Sequence, residues 1–173
     1  MYSFFLNFLF FFLFTQNLFS SQEIFIYSKN TFNINGETDI SFNGKKYIVI
    51  DLQDGVGKFY AFNKNGTLYL SGKISAGNPS KNPTPDGIFK VLKKKKYHMS
   101  TLYPADDGNN NMNDMLLITN NGIALHKGSI DYYSHGCIHI DSKKSEKLFN
   151  WADLNTNVII TRDYFSEFMN SFK

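Results

Sequence analysis

Residues 123–140 of this 173-residue chain read IALHKGSIDYYSHGCIHI. Three of its four histidines, His126, His135 and His139, fall there beside Cys137, the one cysteine. A thiol attacks a carbonyl only as the thiolate, and a free cysteine with a pKa of about 8.5 supplies little of it at neutral pH. A neighbouring imidazole takes the proton and makes the sulfur a nucleophile. Gly136 lacks a Cβ, so the backbone beside it can approach a substrate and turn N–H groups toward a developing oxyanion. The set points to nucleophilic acyl transfer. A Cys–His pair is expected to give a rise in activity governed by the thiol and imidazole pKa values, and a flat profile between about pH 5 and 8 would contradict His126 as base.

Two other readings compete. His135, Cys137 and His139 lie at period two, which puts all three on one face of an extended strand. With His126 they make a possible zinc set, although ligands at i, i+2 and i+4 on one strand diverge too far to meet one small ion. Alternatively, Cys137 is a small buried hydrophobe with incidental histidines nearby. One cysteine allows no intramolecular disulfide, and an unpaired thiol in an oxidising compartment invites a functional explanation.

That compartment is read from the start of the chain. Phe4–Phe14 reads FFLNFLFFFLF, the length of a signal-peptide apolar region and short for a bilayer span. Ser20 and Ser21 are small enough for a cleavage site. Residues 1–21 are therefore expected to be a signal peptide, or an N-terminal anchor if retained, with a lead-in over 22–45. Either way the body is exported, to the periplasm or cell envelope. The first 20 residues hold nine of the 29 aromatics and no charge. The body left after them has enough apolar content for one core and too little for a membrane bundle, and it is not disordered. Its charge of +3 rests on 17 Lys and the single Arg162, with Lys93–Lys96 the only run. That pattern fits a solvated edge strand better than a nucleic-acid surface.

The elements that must carry the histidine and cysteine are mostly strands. Lys46–Leu52 is a β-branched run with the content of a buried strand. Phe59–Phe62 and Thr67–Leu70 flank Asn63-Lys64-Asn65-Gly66, a turn that tolerates positive φ. Lys73–Ala76 runs extended into the stop at Gly77-Asn78-Pro79. Gly87–Leu92, Met115–Thr119 and Ile123–His126 read as further strands, and Val158–Thr161 as the last. Residues 104–114 form a polar loop without the ligand spacing of a calcium site. Asp141 and Ser142 are candidate N-caps for a helix over Lys143–Ala152. The tail 163–173 is expected to form a short amphipathic helix packing Phe165, Phe168 and Met169.

Ser134-His135-Gly136-Cys137-Ile138, preceded by His126 on a strand, resembles the S-H-G-C-(I/V)-R signature of the L,D-transpeptidase (YkuD-like) family. The likeness extends in order from 46 to 161. Ile74-Ser75-Ala76-Gly77 and Thr84-Pro85-Asp86-Gly87-Ile88-Phe89 are similar to that family's "S-x-G … T-P-x-G-x-F" segment. Leu148 to Ile160 is similar to its closing helix and strand.

The resemblance implies a mainly β fold, an L,D-transpeptidase-like β-sandwich or barrel with one or two short helices, over residues 46–162. It implies that Cys137 attacks the carbonyl joining the diamino acid of a peptidoglycan stem tetrapeptide to its terminal D-Ala. D-Ala leaves, and an amine of a second stem resolves the thioester into a 3–3 cross-link. His126 falls on the general base and His135 on the second histidine. Ser134, Gly136 and the Cys137 N–H fall on the oxyanion pocket, and His139 on a position that steadies the loop or an anionic part of the substrate. Tyr132 and Tyr133, in the short loop before the motif, either wall the pocket or simply pack. His139 replaces an Arg, a weaker charge without a bidentate fork. The implied partners are peptidoglycan stem peptides, with no nucleic acid, no cofactor and no metal, and with membrane only through an uncleaved leader. Water in place of the amine would give an L,D-carboxypeptidase, and loss of chemistry would leave a wall-binding domain. A papain-like or NlpC-type peptidase places Cys before His, the reverse of the order here.

Overall fold

The computed structural model describes residues 33–34, 38–39, 44–103 and 110–170. The expected leader over 1–21, most of the lead-in, part of the polar loop and the last residues of the tail lie outside the described residues. Among the described residues, eleven strands and two helices follow in chain order. Strands β1 (Asn33–Ile34) and β2 (Thr38–Asp39) pair antiparallel in a small ribbon. The body comprises β3 (Tyr47–Gln53), β4 (Val56–Phe62), β5 (Leu68–Ser75), β6 (Gly87–Lys90), β7 (Lys93–Lys95), β8 (Met115–Leu117), β9 (Ala124–Lys127), β10 (Ile138–Ile140), α1 (Ser142–Trp151), β11 (Asn157–Thr161) and α2 (Phe165–Asn170).

Nine strands form one curled, mixed sheet, ordered β6-β11-β3-β4-β5-β10-β9-β8-β7. The continuous apolar run of β3 is explained by burial on both faces. Ile48, Ile50 and Leu52 join Phe59, Ala61, Val158 and Ile160 on one side. Val49 joins Tyr60, Phe62 and Ile159 on the other. Alternation along each strand divides these residues between two cores. Helix α1 covers the first core through Leu148, and its start is fixed by Asp141, whose carboxylate accepts the N–H groups of Lys143 and Lys144. Helix α2 closes the second with Phe165 and Met169, as expected for the tail, and Asp51 accepts the Ser166 N–H at 2.7 Å.

The β4–β5 hairpin turns where Asn63 and Gly66 are expected to turn it, with Gly66 at φ +82° and its N–H bonded to Asn63 O at 2.9 Å. The lysine run lies on β7 at the edge of the sheet, as its composition predicts. Strand β10 is the element the sequence reading does not isolate, because three residues are too few for a period.

Strands β9 and β10 are parallel neighbours joined by residues 128–137. A parallel pair cannot be joined by a tight turn. The connection therefore swings out to the end of β5, where Ser75 Oγ donates to Tyr132 O (2.7 Å) and Ser134 N–H to Ala76 O (2.9 Å). The excursion carries the Ser134–Cys137 motif.

Candidate active site

Alternation on β9 and β10 builds the site. Leu125, Ile138 and Ile140 point into the first core. Ala124, His126, Cys137 and His139 therefore share the opposite face. The parallel register sets His126 directly across from His139 and Ile138 across from Leu125. Cys137, one residue ahead of Ile138, is thus a diagonal neighbour of His126.

His126 is only 5% exposed. Its Nδ1 lies 2.8 Å from the carbonyl of Lys127. A carbonyl only accepts, so Nδ1 carries the hydrogen and Nε2 keeps its lone pair. Burial, and then the neighbouring His139, lower its pKa from 6.5 to about 4. The His126 and His139 rings meet edge-on at 4.9 Å, and His139 Nδ1 lies 2.9 Å from Ser129 O. Burial also lowers the His139 pKa. Gly128 makes room for this pair, since a Cβ there would stand 2.6 Å from His139 Cγ.

Cys137 is half-buried, its Sγ 3.7 Å from Gly122 O. Burial raises the thiol pKa, and a hydrogen bond from the backbone of Ala124 opposes the rise. At rest the pair is thus a neutral thiol beside a neutral imidazole. The expectation of a base titrating between about pH 5 and 8 is corrected: desolvation moves His126 below that window.

The Ser134–Cys137 turn is locked from two sides. Ser134 Oγ donates to Cys137 O at 2.5 Å and accepts the Gly136 N–H at 3.0 Å. Thr84, 1% exposed, donates its Oγ1 hydrogen to Gly136 O at 2.7 Å and accepts the Gly77 N–H at 2.9 Å. In a trans peptide the carbonyl and the following N–H point opposite ways. Thr84, by holding the Gly136 carbonyl, turns the Cys137 N–H away from itself. Gly136 has φ +115°, a conformation that favours glycine.

The expected site residues divide accordingly. Cys137, Gly136 and His135 line a cavity of about 450 Å³, and His126 lies buried on the strand next to Cys137. His135 stacks on Tyr103, ring centres 4.4 Å apart. Ser134 Oγ accepts the Gly136 N–H and donates to Cys137 O, so both brace the turn rather than face an oxyanion. His139 and Tyr133 do not line the cavity among the described residues. His139 instead sits against His126, and Tyr133 lies across Gly55, where a Cβ would stand 2.7 Å from its ring. No three His, Cys, Asp or Glu side chains converge as metal ligands among the described residues. Thr84, quoted only for its motif, and the Lys127 carbonyl are the participants sequence reading leaves unassigned. A buried threonine in a loop signals such a role only once its partner is known.

The model of the L,D-transpeptidase catalytic domain family (YkuD) matches residues 45–160. Among solved structures, L,D-transpeptidase 1 of Mycobacterium tuberculosis is similar with a TM-score of 0.56 at 20% identity, over 67% of this chain and 61% of that one. An L,D-transpeptidase from Stackebrandtia nassauensis gives 0.57 at 21% identity, over 67% and 55%. L,D-transpeptidase 3 of Mycobacterium tuberculosis, in complex with a faropenem-derived adduct, gives 0.54 at 20% identity, over 67% and 60%. The chain thus spans less than two thirds of the length of each. No curated protein matches it. At these identities the structures establish a shared fold, mainly β with a curled nine-stranded sheet. With the family model matching well over half its length, this chain belongs to the L,D-transpeptidase catalytic domain family.

Proposed function

We propose that the protein is an exported peptidoglycan L,D-transpeptidase that works through a Cys137 thioester. The observation that carries the reading is the cysteine on a cavity wall with His126 buried on the next strand, its Nδ1 engaged and its Nε2 available as a base. In the first step His126 Nε2 takes the Sγ proton as sulfur attacks the carbonyl between the diamino acid and D-Ala. Negative charge develops on the carbonyl oxygen, and the Cys137 N–H, turned away from Thr84, is the donor assigned to it. The imidazolium returns its proton to the D-Ala nitrogen, the C–N bond breaks, and a thioester remains. The amine of a second stem then attacks the thioester, gives its proton to His126, and expels the thiolate, which recovers that proton. His135, stacked on Tyr103 at the cavity wall, orients substrate in this reading.

The test is incubation of the purified protein with disaccharide tetrapeptides and separation of products by mass. Cross-linked dimers with release of D-Ala support the proposal, and tripeptide alone assigns water as the acceptor and a carboxypeptidase. A Cys137→Ala variant with full turnover would refute both. A faropenem-derived adduct is known in L,D-transpeptidase 3 of Mycobacterium tuberculosis. The same drug is expected to add one covalent mass to this protein and none to Cys137→Ala.

A further inference from the structure

Lys93–Lys96, formed by β7 and the residue that follows it, divides into two unlike pairs. Lys94 and Lys96 face α1, with their ammonium groups 4.6 and 5.6 Å from the centre of the Phe149 ring. Lys96 also pairs with Asp114 at 2.7 Å and Glu146 at 3.0 Å. Lys93 and Lys95, pointing the other way, line the cavity that holds Cys137. Among the described residues neither is ion-paired with a carboxylate. Nor does any described Asp or Glu line the cavity. His98 stands beside them on the cavity wall, its Nδ1 3.5 Å from Lys95 Nζ. Burial and then the charges of Lys95 and Lys93 keep its pKa below the usual value, so the lysines supply the charge and His98 a neutral ring.

Resistance to edge pairing requires only that lysines face water. Two ammonium groups in the cavity wall that also holds Cys137, without a counter-charge among the described residues, do more. Their mutual repulsion is relieved by an anionic ligand, and a cleft of one sign concentrates such ligands. A cavity of about 450 Å³ is of ligand size. Met112, Met115 and Ile123 supply an apolar surface beside the charges. We propose that Lys93 and Lys95 form a carboxylate-reading wall, which makes the protein select acyl donors that carry a free carboxylate next to the scissile amide over donors in which that group is a carboxamide. The occupant is an acidic peptide. The inference rests on Cys137 as the acylated nucleophile, because the wall is defined by its position in the same cavity.

The test uses two tetrapeptides that differ only in ending in D-Ala or D-alaninamide. Their affinities are measured by calorimetry on full-length Cys137→Ala protein, with and without Lys93→Gln and Lys95→Gln. The carboxylate peptide is expected to bind about tenfold or more tightly than the amide. The preference should shrink with added salt and vanish in the double lysine variant, while amide affinity is unchanged. Near-native circular dichroism and an unchanged denaturant midpoint in the double variant are expected, which shows the fold intact. Equal binding of the two peptides, or a preference that survives both substitutions, overturns the proposal. Turnover of both peptides with equal KM and kcat overturns it while the transpeptidase reading stands. Preferential binding without turnover in the unaltered protein does the reverse.

Discussion

Burial of His126 makes an uncommon demand on the pH dependence of acylation. At about 1.4 kcal/mol per tenfold change in proton affinity, a fall from 6.5 to about 4 makes protonating His126 about 3 kcal/mol harder than in water. Burial also holds the Cys137 thiol above its ordinary value, so proton transfer from sulfur to His126 is uphill at both ends and the resting pair is neutral. The base is neutral, and so competent, throughout pH 5 to 8. Acylation of Cys137 by a carbapenem, followed by stopped-flow absorbance after a pH jump, should be flat across that range and fall with a midpoint near pH 4. His139→Gln takes away only the second cause of the shift, so its acid limb should move up part of the way toward 6.5. A midpoint between 6 and 7 in the unaltered protein, with no change in His139→Gln, would refute the reasoning.

The same group fixes the acid stability. Its folded pKa is the lower one, so between about pH 6.5 and 4 the unfolded chain binds a proton that the folded chain does not, and stability falls as pH drops through that window. Urea titrations at pH 7 and 4 should differ by about 3 kcal/mol from His126, a contribution absent in His126→Gln. Thr84→Val leaves the Gly136 carbonyl and the Gly77 N–H buried without this partner. At about 1–3 kcal/mol for each such group, it should lower stability by several kcal/mol and cut acylation, whereas Thr84→Ser retains both, as denaturant melts and adduct mass will read. Gly128→Ala drives a Cβ to 2.6 Å from His139. It should slow acylation by displacing the His139–His126 pair, with near-native circular dichroism as the check on folding.

Much of the fold is legible in local pattern. KYIVIDL, the Asn-Gly turn and the Asp141 cap each combine residue chemistry with a period long enough to read, and each lies where expected. Strand β10 has three residues and no readable period; pairing with β5 and β9 defines it. The cysteine and its histidines were visible as types, because nothing else in the chain concentrates them. Their division was not. Period two assigns His135, Cys137 and His139 to one face of a strand, yet His135 precedes the strand and is separated from Cys137 by Gly136 at φ +115°, so it turns aside onto Tyr103.

By itself, the sequence determined the chemistry available: one thiol, the imidazoles near it, glycine where the backbone must bend, and strands with two apolar faces. Only the tertiary structure decided which groups meet. The parallel register puts His139 against His126, and burial then lowers the His126 pKa. Thr84 reaches across 52 residues to hold the Gly136 carbonyl. The edge strand separates one lysine run into two cations that pack on a helix and two that face the cavity. Each is a relation between distant segments, set by packing and solvent exclusion, which a linear pattern does not contain.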